Sequence, residues 1–495
     1  MNGAVAFAAP RVRRALAVLV AAALLPAVGG ARPQVTLEDT LNLSDTPGVA
    51  SIHPGVAIAT DTASGIGTVH VVWEEANPDF DELSGVKQRS RRFSLATGAW
   101  QGDWTAADWI YPIGQDPAVA ARGTSVVVTF VRTPYDAADP TVIQFSTWDD
   151  AGRRWRDPVV LWQPGIPEPD AITAHCKQPD VTIDALGRVW LTWIDEAGGG
   201  RPYWALVRDD PQSYGAVLAM SDIVETERAQ SPRIAAGSEA GDPVWSAFSK
   251  ELPERSEDLI YRSMKLQGSD WAETTQLNDG AHGRAPDLAV GTGGGVCTAW
   301  QEQVDGGSGQ PDIYLDCNAP GRRGINLSGT ANDRSVEPSV VFGAPQVGAM
   351  VAWREQPQPP DASIHFKPAD GAAQPIAIEG GRVASPIIAT YGRTVHAVWV
   401  KDDDAGGHDV YYGRFPSAAP ATATAAPSAT TPTATATRGT PSATSTRRPT
   451  PTGTREEPTP TPNPSDTATP FPTLDRVEGT IYLPYAVKPR PPATP

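Results

Sequence analysis

The stretch Ala285–Gln303, APDLAVGTGGGVCTAWQEQ, runs from a proline through a short apolar segment and a glycine turn into a second apolar segment ending in a tryptophan and an acid. Two apolar runs of this length on either side of a glycine turn form the pattern of a β-hairpin. The same phrase recurs along the chain. On the proline it aligns as HPGVAIA at Pro54, DPAVAAR at Pro117, QPDVTID at Pro179, SPRIAAG at Pro232, APDLAVG at Pro286, EPSVVFG at Pro338 and SPIIATY at Pro386. Each copy is followed by a second run closing on an aromatic: Trp73, Phe130, Trp193, Phe248, Trp300, Trp353 and Trp399. Successive prolines lie 63 residues apart at the start of the series and 48 at its end, a period that marks stacked supersecondary units.

A third run follows each aromatic, clearest in DLIYRSMKL around Tyr261, DIYLDC around Tyr314, SIHFK before Lys367 and DVYYGRF around Tyr411. A weaker fourth run shows as QLND (276–279) and INLSGT (325–330). Four antiparallel strands repeated seven times predict an all-β, seven-bladed β-propeller. Packing blade on blade buries both faces of the middle strands, which explains why VHVVW and WLTW are apolar almost throughout. The segment TLNLSDTPG (40–48) matches the fourth-strand text, yet no first three strands precede it, and after Phe415 the last copy lacks a fourth strand. Leu41–Leu43 is therefore expected to complete the last blade and cover its open edge.

The ends of the chain read differently. Residues 1–31 carry Arg11, Arg13 and Arg14, an apolar run from Ala15 to Val28 and then small residues, the layout of a secretory signal peptide; the run is shorter than the roughly 20 residues a membrane anchor needs. The propeller is expected over 32–416. Residues 417–475, rich in Thr, Pro, Ala and Ser, hold too little apolar surface to offset the entropy of ordering and read as an extended stalk. A short apolar segment, 476–495, would serve cell-envelope retention or docking, although it has no L-P-x-T-G sortase signal. A secreted or cell-surface monomer is the expectation. With 57 acids against 40 bases and a formal charge of −17, the chain repels polyanions, so nucleic acid is set aside as a partner.

The phrase GTVHVVWEE (67–75), the I-Y-R type third strands and the set Ser146, Asp150, Gly152 and Trp155 resemble BNR-repeat, sialidase-like propellers over about Leu37 to Phe415. That resemblance implies turns of the Asp-box type, here stretched by one residue in the second blade and reduced to Ser263, Gly268 and Trp271 in the fourth. It also implies, for a catalytic member, an arginine triad opened by Arg-Ile-Pro text, a tyrosine nucleophile and an aspartate acid/base. No Arg-Ile-Pro occurs near the start of the mature chain, and Ser231–Ile234 falls in register with the seven prolines. Nucleophile-elbow, zinc-protease and phosphate-loop motifs do not occur either. The expected function is a non-catalytic, extracytoplasmic binding or scaffold protein whose ligand is a protein, a glycan or a cation. The alternative is a sialidase-like glycoside hydrolase with a divergent site.

The expected ligand face is the one shared by the blade-to-blade loops and the loops after the second strands. The first set contributes His53, Asp116, His175, Gln178, His282 and Glu337; the second contributes Glu75, Asp195, Glu302, Glu355 and Asp402. A ring of carboxylates there would create a negative field able to hold a cation or a basic partner, unless each acid is a solvated turn residue or caps backbone amides of its own loop. Asp402, Asp403, Asp404 and Asp409 in KDDDAGGHD offer hard oxygens to calcium, without the order of a recognised calcium loop. No organic cofactor is expected. His70 and His396 occupy matching second-strand positions and read as packed imidazoles.

Of the three cysteines, Cys297 and Cys317 are each ten residues from Gly307, the expected centre of a hairpin, so they should face one another and pair. Such a bridge closes a loop of about 20 residues, worth about 3 kcal/mol in the chain-entropy view. Thiol counting on the unreduced, denatured protein should therefore find one thiol, that of Cys176; three would refute the pairing.

Overall fold

The computed structural model describes residues 38–416, apart from 81–82, 134–140, 162–175, 197–199, 208–217, 220–227, 253–256, 267–268, 270, 273, 280–281, 304–308, 318–323, 331–332, 344–347, 359–360, 370–375, 379–381 and 404–405. The expected signal peptide, stalk and tail, with His175, Asp404 and Gly268, lie outside the described residues. Among the described residues there are seven antiparallel sheets, each built from four strands, with one extra short strand in the first two. We call these blades 1 to 7. Their inner strands are Ser51–Asp61, Gln115–Arg122, Cys176–Ile183, Arg228–Ala236, His282–Val290, Arg334–Phe342 and Val383–Tyr391. Each begins one to three residues before one of the seven proline phrases.

The second strands form the core. Ile66–Ala76 is buried over eight of its eleven residues, because blades cover it on both sides. In four blades the closing aromatic of the second strand stacks on the aromatic opposite it in the third strand. Trp193 pairs with Tyr203, Phe248 with Tyr261, Trp300 with Tyr314 and Trp399 with Tyr411, with ring centroids 5.9 to 6.1 Å apart. Cross-strand aromatic pairs of this kind lock register as well as adding buried area.

Closure of the ring follows from the chain's first strand. Glu38–Asn42 pairs antiparallel with the third strand of blade 7, His408–Pro416, setting Leu41 opposite Tyr412 and Asn42 opposite Tyr411. The Leu43 amide then donates to the Val410 carbonyl at 2.7 Å, and the Leu43 side chain is fully buried between blade 7 and blade 1. The shared Asn-Leu-Ser text has a shared structure. Asn42 Nδ2 and Ser44 Oγ donate to Asp409 at 2.7 and 2.8 Å, just as Asn326 Nδ2 and Ser328 Oγ donate to Asp312 at 2.7 and 2.8 Å in blade 5. One tie is local to its blade; the other joins the two ends of the ring.

Cys297 and Cys317 stand directly opposite in the second and third strands of blade 5, with Cα atoms 4.1 Å apart and a disulfide between them. Cys176 is buried and unbridged, and burial pushes its thiol up to about 12.

Replacing Asp409 by Ala leaves the Asn42 and Ser44 donors without their acceptor at the ring junction. The variant should lose about 2–3 kcal/mol in denaturant unfolding, whereas the exposed Asp45→Asn, which keeps a side chain tolerant of the left-handed backbone there, should change stability by less than about 0.5 kcal/mol. Equal effects would contradict a special role for the junction.

Candidate functional site

In every blade the residue before the proline has a left-handed backbone: His53, Asp116, Gln178, Ser231, Ala285, Glu337 and Ser385 all have φ between 47° and 57°. The register of the inner hairpin shifts at the same place in each blade. The physical cause is the proline. It has no N–H for the ladder and disfavours the right-handed helical region in the residue before it, so the strand accommodates it in a β-bulge. Left-handed non-glycine residues cost on the order of 1 kcal/mol each and persist only where surrounding bonds over-determine them.

Those bonds run from blade to blade. Asp116 N–H donates to Glu74 Oε2 of blade 1 (3.1 Å), Ser231 N–H to Gln178 Oε1 of blade 3 (2.8 Å), Glu337 N–H to Gln301 Oε1 of blade 5 (3.2 Å) and Ser385 N–H to Glu337 Oε2 of blade 6 (2.7 Å). A side-chain oxygen of one blade thus satisfies the bulge amide of the next. Deeper in, Asp180 accepts from Ile234 N–H and Asp287 from Val340 N–H, at 2.8 and 2.7 Å.

The bulges surround a central cavity of about 400 Å³. His53, Asp116, Gln178 and Glu337 line it, and below them the residues just after the prolines set Arg233 between Asp180 and Asp287. Arg233 Nε stands 3.8 Å from Asp287 Oδ1. Burial raises the Asp180 carboxyl to about 6 against the opposing pull of Arg233, and raises Asp287 for the same reason.

One cluster stands out on the cavity wall. His53 Nδ1 lies 2.9 Å from Glu74 Oε2 and 3.1 Å from Asp116 Oδ1. Burial works to lower the His53 pKa, but the hydrogen bond to Glu74 and the charges of Asp116 and Glu74 outweigh it, leaving the pKa raised. Glu74 is buried, which would raise its carboxyl; its bonds to His53 and the Asp116 amide bring it below the usual value.

The acids expected to ring the loop face divide into two groups. Asp116 and Glu337 line the cavity with His53 and Gln178. Glu75, Glu302 and Glu355 instead turn inward and are buried. Each accepts from the indole two residues earlier, Trp73, Trp300 or Trp353, at 2.8, 2.7 and 2.6 Å. In a strand, positions i and i+2 share a face, so a buried indole finds its acceptor within its own strand. Ser51 and Ser335 also donate to Glu75 and Glu355, and Lys87 pairs with Glu75. Among the described residues these three acids do not join a solvent-facing ring. Asp195 is buried, and its shorter side chain follows Trp193, whose indole nitrogen finds no protein partner.

The acidic loop of blade 7 is also engaged. Asp403 accepts from Gly48 and Gly407 amides at 2.8 and 2.6 Å, Asp409 holds Asn42 and Ser44, and Asp402 meets His408 and Arg382. Asp403 and Asp409 thus serve chain closure, and among the described residues Asp402, Asp403 and Asp409 do not gather their oxygens around one point. His282 lies 3.9 Å from Asp258, which Arg284 holds more closely at 2.6 Å.

The sequence reading counted Glu74 only as one of the acids ending the second strands, passed over Asp180 and Asp287 as site residues and assigned Arg233 to an ordinary strand. Arg233 does lie in the first strand of its blade, and there it lines the cavity. A signal was present: aligned on the proline, copies three to five carry Asp, Arg and Asp at the next position. Alternating charge at one repeat position is unusual where the other copies have Gly, Ala, Ser and Ile.

No protein-family model matches the chain, and no curated protein does. Solved structures with a similar fold include a protein of unknown function from Dyadobacter fermentans, at 11% identity and a TM-score of 0.45, covering 78% of this chain and 99% of that one. An ulvan lyase from a polysaccharide lyase family is 11% identical over 74% of this chain and 94% of its own, with a TM-score of 0.45. The α-L-arabinanase of Penicillium chrysogenum, complexed with arabinobiose, is 10% identical over 59% and 90%, with a TM-score of 0.41. The structural neighbours thus include glycoside hydrolases and polysaccharide lyases, and the likeness is one of fold.

His70 and His396 are both buried, and burial lowers them to about 4 and about 3 from 6.5. A histidine whose folded pKa is depressed stabilises the fold fully above its unfolded pKa and progressively less as pH falls toward the folded value. Burial of Asp180 acts in the opposite sense between 6 and 3.8. Replacing His396 by Gln should therefore flatten the fall of unfolding free energy between about pH 6 and pH 4, by about 1.4 kcal/mol per pH unit. Denaturant curves at several pH values test this, and an unchanged slope would refute the neutral buried imidazole.

Proposed function

We propose that this chain is a secreted or surface-attached, non-catalytic propeller of the BNR, sialidase-like type, and that it holds a glycan at the central cavity. The observation that carries this reading is the convergence of His53, Asp116, Gln178 and Glu337, each on a strained bulge, around one cavity. Imidazole, carboxamide and carboxylate groups held rigidly around a polar concavity suit the paired hydroxyls of a sugar. Rigidity matters because ordering the site has already been achieved by folding, which lowers the entropy lost on binding. The signal-peptide pattern of residues 1–31 and the Thr/Pro-rich composition beyond 416 support an extracytoplasmic, envelope-attached protein.

The lining carboxylates favour retention over hydrolysis. Glu337 is tied to the Ser385 amide and to Arg354, and Asp116 to His53, which the buried Glu74 also holds. A retaining or inverting hydrolase needs one carboxyl as proton donor and another as nucleophile or base. Asp180 gives the second reading its footing, since a carboxyl raised to about 6 beside Arg233 and Asp287 is suited to proton transfer.

A glycan array probed with the mature chain should show retention of a defined glycan. Gln178→Glu and Glu337→Gln, which keep an oxygen acceptor for the bulge amides, should weaken it about tenfold or more, the effect of about 1.4 kcal/mol, without lowering the melting temperature. Turnover of aryl glycosides abolished by Asp180→Asn would replace this reading with a hydrolase.

A further inference from the structure

We propose that His53, Glu74 and Asp116 form a binding site for a first-row transition-metal dication, of which zinc is the example tested below. The ligand atoms of the three side chains lie within 4.8 Å of one another. His53 Nδ1 faces two carboxylate oxygens at once, at 2.9 and 3.1 Å. A single proton on Nδ1 cannot point straight at both. A dication that takes its place satisfies nitrogen and both oxygens together. Ligands bonded to zinc at about 2.0–2.2 Å stand roughly 3.3 to 3.6 Å from each other in a tetrahedron, so the two observed spacings would open by a few tenths of an ångström.

Charge and access agree with this assignment. Neutral imidazole and two carboxylates present two negative charges to a dication, whereas a protonated His53 leaves one carboxylate charge unbalanced. Binding releases the Nδ1 proton to solvent. The nitrogen donor selects zinc and its neighbours over calcium and magnesium, which take oxygen ligands. Glu74 is buried and oriented by the Asp116 amide, a supporting contact of the kind that fixes metal ligands. His53 keeps 48% of its side chain exposed and lines the cavity, so an ion held there retains open positions toward solvent. The left-handed backbones of His53 and Asp116 place ligands from two neighbouring blades at one point.

Zinc chloride titrated calorimetrically into the full chelator-stripped chain should bind at one ion per chain. His53→Ala and Asp116→Asn should each weaken it tenfold or more. Calcium should neither bind there nor displace zinc, and His408→Ala, at the other exposed histidine–carboxylate pair, should leave the affinity unchanged. Near-UV circular dichroism checks that the variants are folded, and Asp116→Asn decides the matter if His53→Ala is not. Absence of stoichiometric zinc in the wild type, wild-type affinity in the folded variants, or loss of binding in His408→Ala would overturn the assignment. A chain that retains no glycan can still bind zinc, so this site and the proposed glycan site fail separately.

Discussion

Asp409 is the point on which the ring depends. Seven sheets arranged around an axis leave a gap between the last and the first unless something finishes the seventh, and an unfinished strand edge is open to foreign pairing. The chain closes the gap with Glu38–Asn42, and Asp409 anchors that strand through Asn42 and Ser44. Leu43, beside these bonds, fills the seam between blades 7 and 1. Blade 5 makes the same contacts around Asp312 with its own fourth strand. The closure is therefore an ordinary blade contact made across the greatest distance in sequence, and every interblade surface relies on it.

A second constraint operates at the axis. Adjacent inner strands belong to different sheets and do not share a backbone ladder, so amides at the bulges need acceptors from elsewhere. Glu74, Gln178, Gln301 and Glu337 supply them across the blade boundaries. The proline that interrupts each inner strand thus produces two effects. It forces a left-handed turn that brings the preceding side chain to the cavity, and it makes the neighbouring blade hold that turn in place. Scaffold and site share one set of bonds, which is why the cavity wall is rigid.

The acidic character of the chain acquires a different meaning in this light. Glu75, Glu302 and Glu355 serve buried indoles, Asp409 and Asp403 serve closure, and Asp180 and Asp287 serve the amides of Ile234 and Val340. What is left facing the cavity near its wall is a small and specific set, with His53 at its centre. A Glu two residues after a buried Trp is legible as an indole acceptor once the strand is known to be buried on both faces. Without that knowledge the same Glu reads as a loop acid, either facing a ligand or capping its own turn.

The sequence alone determined the number of blades, the strand order within each, the closure by the Asn-Leu-Ser segment and the facing of Cys297 and Cys317, because repeats and strand periodicity are one-dimensional signals. Its view of the cavity was partial: His53, Asp116, Gln178 and Glu337 were legible from their place before the prolines, and Glu74 as an acid ending its strand, whereas Arg233, Asp180 and Asp287 were not. Only the tertiary structure decided which acids are buried and which converge, since residues 42 positions apart, such as Glu74 and Asp116, meet only when blades pack side by side. The depth of a side chain and the atom it faces are set by that packing, and no local pattern along the chain encodes them.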